Sequence, residues 1–185
     1  MHVLSTPIPD VKVIDMGRHG DRRGWFTESW NAAGFAEAGL DCQFVQDNLS
    51  FSAERFVVRG LHYQVSPLAQ TKLVRVITGA ILDVAVDLRC ASPTFGQHVA
   101  VELDAQSGRM LWVPKGFAHG FCTLTPDVHV LYKVDAPYSP PHERIVQWND
   151  PELGIPWPME VGDVILSARD AAAPSFRTAI APEQA

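Results

Sequence analysis

The sequence predicts an all-β protein, either a sandwich or a barrel, built from many short strands. Ten segments of about four to eight residues have the composition of strands, and turn residues separate them. Within residues 81–88 the even positions are aliphatic, and the odd positions hold Asp83, Ala85 and Asp87, a period of two. The 14 prolines and 13 glycines supply the many tight connections that such a fold requires.

Each predicted strand is rich in β-branched, aliphatic or aromatic residues, which favour a pleated and half-buried surface. In chain order the strands are Val11–Met16, Trp25–Ser29, Phe44–Phe51, Val57–Gln64, Lys72–Thr78, Ile81–Leu88, Val99–Leu103, Met110–Val113, His129–Val134 and Ile145–Trp148. Only Asn31–Ala38 has the composition of a helix, and Gly34 and Gly39 keep it short. After Pro174 the chain is rich in alanine and polar residues, so we expect a loosely ordered tail.

Length and charge limit the class of protein. A chain of 185 residues suffices for one domain with a real core and is short for two, so residues 1–185 are predicted to form a single domain. The net charge of −6 argues against a nucleic-acid binder, because such proteins present a surplus of lysine and arginine to phosphates. No window approaches the roughly 18 apolar residues that a membrane span needs.

The N-terminus and the cysteines indicate the cellular compartment. The first residues lack the basic region and the uninterrupted apolar run of a secretory signal. Cys42, Cys90 and Cys122 are widely spaced, odd in number and in no CxxC arrangement, which is typical of reduced thiols. Both observations predict a cytoplasmic protein.

Two segments place a histidine on or beside a strand, VRGLHYQ at 58–64 and VPKGFAHGF at 113–121. The second continues the spacing G-x5-P-x-G-x2-H from residue 108 and resembles the second motif of the cupins, whose histidine commonly binds a metal. In the first motif of the cupins, however, a second histidine stands where this chain has Gln64, and a glutamate where it has Lys72. Two histidines beside an ammonium group make a poor divalent site, because zinc or iron requires three or four lone-pair donors. We therefore expect neither a metal nor another cofactor.

The order of motifs along the chain is similar to that of the dTDP-4-dehydrorhamnose 3,5-epimerase family. No single motif is specific, but together they cover nearly the whole length: GDxRGxFxE at 20–28, QDN at 46–48, VRGLHYQ at 58–64, QxKLVRV at 70–76, DVAVDLR at 83–89, SPTFG at 92–96, PKGFAHGF at 114–121, YK at 132–133 and WNDPELGIPWP at 148–158. The resemblance implies a cupin-type jelly-roll β-barrel with short peripheral helices. It also implies an isomerase that inverts C3 and C5 of a dTDP-linked 4-keto-6-deoxy sugar.

The resemblance implies four catalytic residues, and their chemistry agrees with such a reaction. A 4-keto group acidifies the protons on the neighbouring carbons, so epimerisation needs a base, a group that stabilises the enolate and an acid on the opposite face. His62 matches the base, which can accept a proton near pH 7, and Asp170 matches the carboxylate that orients it. Lys72 would face the developing enolate oxygen, and Tyr132 would return a proton from the other face.

Nine further positions match residues that contact substrate in the family. Arg23 and Arg59 resemble clamps on the diphosphate, because a guanidinium group pairs with phosphate oxygens in a bidentate way. Tyr138 resembles the residue that stacks on the thymine. The other positions are Glu28, Gln46, Asn48, His119, Glu143 and Arg169. The family also places arms of one subunit against the barrel of its neighbour, which implies a homodimer.

Four points stay open from the sequence alone. Arg59 and His62 lie on opposite faces of an ideal strand, and a bulge at Gly60 would be needed to bring both to one pocket. Asp83 and Asp87 could line the site, although a hydrogen-bonded role at the barrel rim is the simpler interpretation. The motifs do not separate a 3,5-epimerase from a single-centre epimerase of antibiotic sugars. A non-catalytic sugar-binding barrel is the remaining alternative, although a binder needs no base.

Overall fold

The computed structural model describes residues 1–180, which contain thirteen strands and three short α-helices. The strands are β1 (His2–Ser5), β2 (Lys12–Asp15), β3 (His19–Asp21), β4 (Gly24–Phe26), β5 (Gln46–Ser52), β6 (Val58–Gln64), β7 (Lys72–Thr78), β8 (Ala80–Asp87), β9 (His98–Asp104), β10 (Met110–Val113), β11 (Phe117–Thr123), β12 (Val128–Val134) and β13 (Glu143–Ile145). The helices are α1 (Ala32–Glu37), α2 (Ala168–Ala171) and α3 (Phe176–Ile180).

Two antiparallel sheets form the body of the fold. The six-stranded sheet has the order β1-β2-β10-β7-β12-β5, and the five-stranded sheet has the order β13-β6-β11-β8-β9. Strands β3 and β4 form a separate hairpin. This arrangement confirms the predicted all-β jelly roll with short peripheral helices, although its two sheets are not hydrogen-bonded into one closed barrel. None of the helices within residues 1–180 has the length and apolar character needed to span a membrane.

The main core lies between the two sheets. Val74 and Val130 enter it from the six-stranded sheet, and Ala85, Val99 and Phe121 enter it from the five-stranded sheet. All five are at most a few per cent exposed. Burying apolar side chains at roughly 25 cal/mol per Å² makes this interface a principal source of stability. At one end of this interface the inward-facing side chains are polar and line a cavity.

A helix covers part of the outer face of each sheet. Phe35 of α1 packs with Trp112 of β10 on the six-stranded sheet. Helix α1 begins after Asn31, whose side chain accepts a hydrogen bond from the Gly34 amide and caps the helix. On the five-stranded sheet, Phe176 and Ile180 of α3 pack in a buried cluster.

The expectation of a loosely ordered tail after Pro174 is therefore wrong for residues 175–180. The segment is rich in alanine, but it also contains two large apolar residues, Phe176 and Ile180, which are 2 % and 1 % exposed. Their burial against the outer face of the sheet orders this segment. The remainder of the predicted tail, 181–185, lies outside the described residues.

The sequence predicted the limits of some strands correctly and missed other strands entirely. Strands β7 and β10 have the predicted limits, whereas β11 was absent from the predicted set. All seven residues of β11 are buried, because β6 and β8 flank it and both of its faces are covered, so its sequence shows no alternation. The predicted strand at 145–148 is shifted, since β13 ends at Ile145 and Trp148 packs in a separate cluster.

Candidate active site

A cavity with two adjoining lobes opens between the two sheets. Tyr138 lines the outer lobe of ≈ 280 Å³, and Asp170 lines the inner lobe of ≈ 330 Å³. His62, Lys72 and Tyr132 line both lobes. The six-stranded sheet contributes Gln46, Asn48, Ser50, Lys72 and Tyr132. The five-stranded sheet contributes Arg59, His62, Tyr63, Gln64, His119, Phe121 and Glu143. The structure thus brings together eleven of the thirteen residues predicted for the site, and Arg23 and Glu28 are the two that lie elsewhere.

His62 and Asp170 form a hydrogen-bonded pair in the inner lobe. The His62 Nε2 atom lies 2.6 Å from Asp170 Oδ1, and Asp170 is almost fully buried. Burial raises the pKa of Asp170, but hydrogen bonds from His62, Ser167 and the Gly60 amide outweigh it and bring this pKa below its ordinary value. A carboxylate can only accept, so Nε2 carries the proton, and a neutral His62 keeps Nδ1 as its basic nitrogen.

Helix α2 presents Asp170 to this pair through its first turn. Ser167 is the N-cap, and its Oγ atom accepts a hydrogen bond of 3.0 Å from the Asp170 amide. The same hydroxyl donates to Asp170 Oδ2 at 2.8 Å. This reciprocal arrangement resembles a capping box and occupies the second carboxylate oxygen. The rotamer of Asp170 is therefore held from both sides.

A bulge in β6 brings Arg59 and His62 to the same lobe. His119 pairs with His62 and Phe121 pairs with Arg59, so two residues of β6 oppose the single Gly120 of β11. Gly60 has a φ of 124°, and a Cβ there would lie 2.6 Å from the Gly120 Cα atom, so only glycine fits. The bulge that the sequence required is therefore confirmed.

Lys72 is a buried cation in the wall of the cavity. It is 7 % exposed, and its Nζ atom donates a hydrogen bond of 3.2 Å to the His62 carbonyl. Burial lowers the pKa of Lys72 to about 8, although the negative charges of Asp83 and Glu143 oppose this effect. The ammonium form therefore predominates at pH 7 but is lost a little above it.

Tyr132 faces the cavity from β12, in the sheet opposite to that of His62. Burial raises the pKa of Tyr132, and the charge of Glu143 adds to this effect. The phenol consequently stays protonated across the physiological range and can donate a proton or a hydrogen bond. The histidine and the tyrosine thus approach the same space from opposite sides.

A second histidine–carboxylate pair lies beside the first. His119 Nε2 is 2.7 Å from Asp83 Oδ1, and Asp83 is fully buried. The sequence pattern placed Asp83 and Asp87 on one face of a strand. For both residues we expected a hydrogen-bonded role at the rim of the barrel. Asp83 instead lies behind the cavity wall, whereas Asp87 bonds Arg89, Ser92 and Thr94 in a separate loop.

The outer lobe holds Tyr138, which resembles the residue that stacks on the thymine, and three positions predicted to contact substrate, Gln46, Asn48 and Glu143. Gln46 accepts a hydrogen bond from the Tyr138 amide and donates one to Asn48. Glu143 accepts hydrogen bonds from the Tyr138 hydroxyl at 2.8 Å and from Arg169 at 2.5 Å. The hydrogen bond to Glu143 raises the pKa of Tyr138. The aromatic ring of Tyr138 stays half exposed at the mouth, where it can stack on a flat base.

Arg23 and Glu28 lie outside the cavity of their own chain. Arg23 sits at the turn of the β3–β4 hairpin, where its side chain is 83 % exposed and pairs with Asp21. Glu28 follows the hairpin and accepts a hydrogen bond from Asn31. Sequence motifs fix neighbours along the chain, but they do not say where an exposed hairpin lies relative to the cavity.

Sequence reasoning missed Ser50 and Ser167, and it left the role of Asp83 open. Ser50 and Ser167 line the inner lobe with Arg169. A signal for Ser167 was present, since a serine three residues before an acidic residue is an N-cap pattern. Within residues 1–180 no group of three or more His, Cys, Asp or Glu side chains is arranged to hold a metal ion.

Fold and site together define a carbohydrate epimerase, an isomerase that moves protons next to a carbonyl group. The family model described as dTDP-4-dehydrorhamnose 3,5-epimerase matches residues 5–178. The dTDP-4-dehydrorhamnose 3,5-epimerase of Salmonella typhimurium is 49% identical over 184 residues, 99% of this chain and 100% of the relative. The chain belongs to the dTDP-4-dehydrorhamnose 3,5-epimerase family.

Solved structures give the same result. A dTDP-4-dehydrorhamnose 3,5-epimerase from Bacillus anthracis with TDP and PPi bound is 51% identical, with a TM-score of 0.92 over 95% of this chain and 99% of that one. A dTDP-6-deoxy-D-glucose-3,5-epimerase from Legionella pneumophila in complex with dTDP-4-keto-L-rhamnose is 45% identical. It has a TM-score of 0.89 over 94% of this chain and 92% of that one.

Proposed function

We propose that this protein epimerises C3 and C5 of a dTDP-linked 4-keto-6-deoxy sugar in deoxysugar biosynthesis of the rhamnose type. The observation that carries the proposal is the placement of the His62–Asp170 pair and Tyr132 on opposite sides of one cavity. Inversion of a carbon next to a ketone requires a base on one face and an acid on the other. A sugar bound between the sheets meets one of each.

His62 is the base in this mechanism. Its Nδ1 atom takes the proton from the carbon beside the ketone, and Asp170 stabilises the imidazolium that results. Asp170 is well suited to this role, because its lowered pKa keeps it ionised and Ser167 holds its second oxygen. The electron pair of the broken C–H bond moves to the carbonyl oxygen and forms an enolate.

Lys72 stabilises that enolate. Its ammonium group lies in a nearly water-free part of the cavity, where a fixed charge acts more strongly than in water. Tyr132 then returns a proton to the same carbon from the opposite face, and the enolate collapses to the ketone with the centre inverted. Proton exchange with solvent returns His62 to its neutral form and Tyr132 to the phenol, and the same cycle at the second carbon then completes the reaction.

The nucleotide portion occupies the outer lobe. Tyr138 stacks on the thymine, and Gln46, Asn48 and Glu143 surround it, while Arg59 and Arg169 contact the polar remainder of the substrate. Arg59 is held in place by hydrogen bonds to Ser52 and to the Phe51 carbonyl. His119 contacts the sugar from the floor of the inner lobe.

The working unit in this proposal is a single-domain chain that forms a cytoplasmic homodimer. Trp25 and Phe26 of the β3–β4 hairpin are 53 % and 70 % exposed, and Leu49 and Phe51 lie on the uncovered outer face of β5. Large apolar groups exposed together are typical of a surface that a partner covers. In the dimer the hairpin reaches the neighbouring cavity and delivers Arg23 and Glu28 to it.

Solvent deuterium exchange tests the function. The protein is incubated in D₂O with dTDP-4-keto-6-deoxyglucose, and C3 and C5 are followed by NMR. We expect deuterium at both carbons together with inversion of both. Inversion at one carbon alone would identify a single-centre epimerase, and binding without exchange would identify a non-catalytic sugar-binding protein.

A further inference from the structure

Asp83 is a fully buried carboxylate that the proposed mechanism does not use. One of its oxygens, Oδ1, lies 2.7 Å from His119 Nε2. The other, Oδ2, is buried with no hydrogen-bond partner within the part of the chain that the structure describes. An ionised carboxylate is costly to bury unless nearby charges or donors compensate it. A carboxylate buried at this position therefore calls for a role in the site.

The position of Asp83 on β8 explains how it reaches the site. Asp83 pairs with Phe121 of β11, and His119 is the next inward-facing residue of that strand. His119 in turn pairs directly with His62 of β6. Two histidine–carboxylate pairs consequently stand side by side, but Asp170 approaches from helix α2 and Asp83 approaches from within the sheet.

The charged and titratable groups around Lys72 come from several strands. Asp83 approaches from β8 and Glu143 from β13, and both raise the pKa of Lys72 against the larger opposite effect of burial. The backbone carbonyl of His62 in β6 accepts the hydrogen bond from Lys72 Nζ. His119 of β11 and Tyr132 of β12 line the same lobe as Lys72. Lys72 and His119 line the cavity, whereas Asp83 lies behind them.

We propose that Asp83 is a positioning residue that fixes His119 with Nε2 protonated and supplies the countercharge that keeps Lys72 an ammonium ion. A carboxylate accepts hydrogen bonds only, so its contact with Nε2 selects one tautomer and leaves Nδ1 of His119 available to the substrate. Its direct effect on an enolate is repulsive, so its benefit comes through the two groups that it holds. The catalytic part of this role rests on the proposed epimerase function.

The pH dependence of kcat/KM in Asp83→Asn tests the countercharge. The substitution retains the shape and an accepting oxygen but removes the charge, so Lys72 loses its proton at lower pH. We expect the alkaline limb of the profile to move down by on the order of one pH unit, with about a tenfold loss of activity above pH 8. Asp150→Asn is the matched control, because Asp150 is also buried but bonds only the Glu152 and Phe176 amides. Its profile should keep the wild-type limb.

The ¹⁵N NMR spectrum of the His119 ring tests the tautomer without any substrate. In the wild-type protein we expect a protonated Nε2 and a bare Nδ1. In Asp83→Asn we expect a weaker preference for this tautomer, because an amide can present either its oxygen or its amino group to Nε2. A wild-type ring with its single proton on Nδ1 would overturn the proposal, even if the variant failed to fold. So would a folded Asp83→Asn protein with an unmoved alkaline limb. Inactivity of the wild-type protein would refute the epimerase function instead, and the spectrum would still decide the tautomer.

Discussion

His62 and Asp170 are 108 positions apart in the chain, yet their side chains meet at 2.6 Å. The contact joins β6 to α2, which together with α3 belongs to the C-terminal segment beyond the last strand. Asp170 Oδ2 is held by Ser167, so the pair is oriented before any substrate binds. Preorganisation of this kind lowers the barrier because no rearrangement accompanies proton transfer.

Asp170→Asn should abolish most of the activity while leaving the fold intact. The amide can occupy the same space, but it no longer favours the imidazolium form of His62. We expect kcat to fall on the order of 10⁴-fold, as in other histidine–carboxylate pairs. Ser167→Ala is the control, since it loses the cap but keeps the carboxylate, and its kcat should fall far less. Equal losses in the two variants would show that the cap, not the charge, matters.

Tyr132→Phe should separate exchange from inversion. The variant keeps the bulk of the ring and deletes only the hydroxyl, so His62 can still form the enolate and return a deuteron on the original face. In D₂O we expect NMR to show label at C3 and C5 without inversion, whereas His62→Ala should lose both. Inversion by Tyr132→Phe at the wild-type rate would remove Tyr132 from the mechanism.

Lys72→Ala should lower kcat by about 100- to 1000-fold with little change in substrate affinity, because its contact is strongest with the enolate. In the wild-type protein we expect kcat to fall as the pH rises through about 8, because Lys72 then loses its proton and its positive charge. Steady-state kinetics from pH 6 to 9 measure both. Lys115→Ala, which removes an exposed lysine paired with Asp135, should behave as wild type. A rise of KM alone in Lys72→Ala would make Lys72 a ground-state binder.

Mixed dimers test whether Arg23 acts across the subunit interface. Arg23→Ala alone should raise KM roughly 10- to 100-fold, the loss of one or two charged hydrogen bonds. When Arg23→Ala chains are co-expressed with His62→Ala chains, one site of each mixed dimer combines an intact Arg23 with an intact His62. Purified mixed dimers should then show about half of the wild-type kcat/KM. No recovery would place Arg23 in the cavity of its own chain or outside the site.

Activity should not depend on a bound metal. Gln64 is engaged with the Leu68 carbonyl and the Ser139 amide, and Lys72 is a cation, so neither is placed to act as a ligand. Exhaustive chelation followed by assay should leave kcat unchanged, with elemental analysis as the check on removal. A stoichiometric metal whose loss abolishes turnover would contradict this prediction.

Local pattern was enough to determine the class of fold, and the resemblance to a known family supplied most of the site residues. Period-two alternation predicted β8 and β9 to within one residue of their observed ends, because successive side chains of a strand point to opposite faces. The motifs also predicted eleven residues that line one cavity. The requirement for a bulge between Arg59 and His62 followed from the same period.

Contacts between distant segments were decided only by the tertiary structure. Strand β11 has no alternation because both of its faces are buried, and Phe176 is ordered only because a sheet face lies beneath it. Asp83 joins His119 through the register of two neighbouring strands, which no spacing in the sequence reports. The physical reason is the same in each case. The period of a strand's sequence shows to which face each side chain points, whereas the partner of that side chain depends on which strands pair and on what covers the sheet.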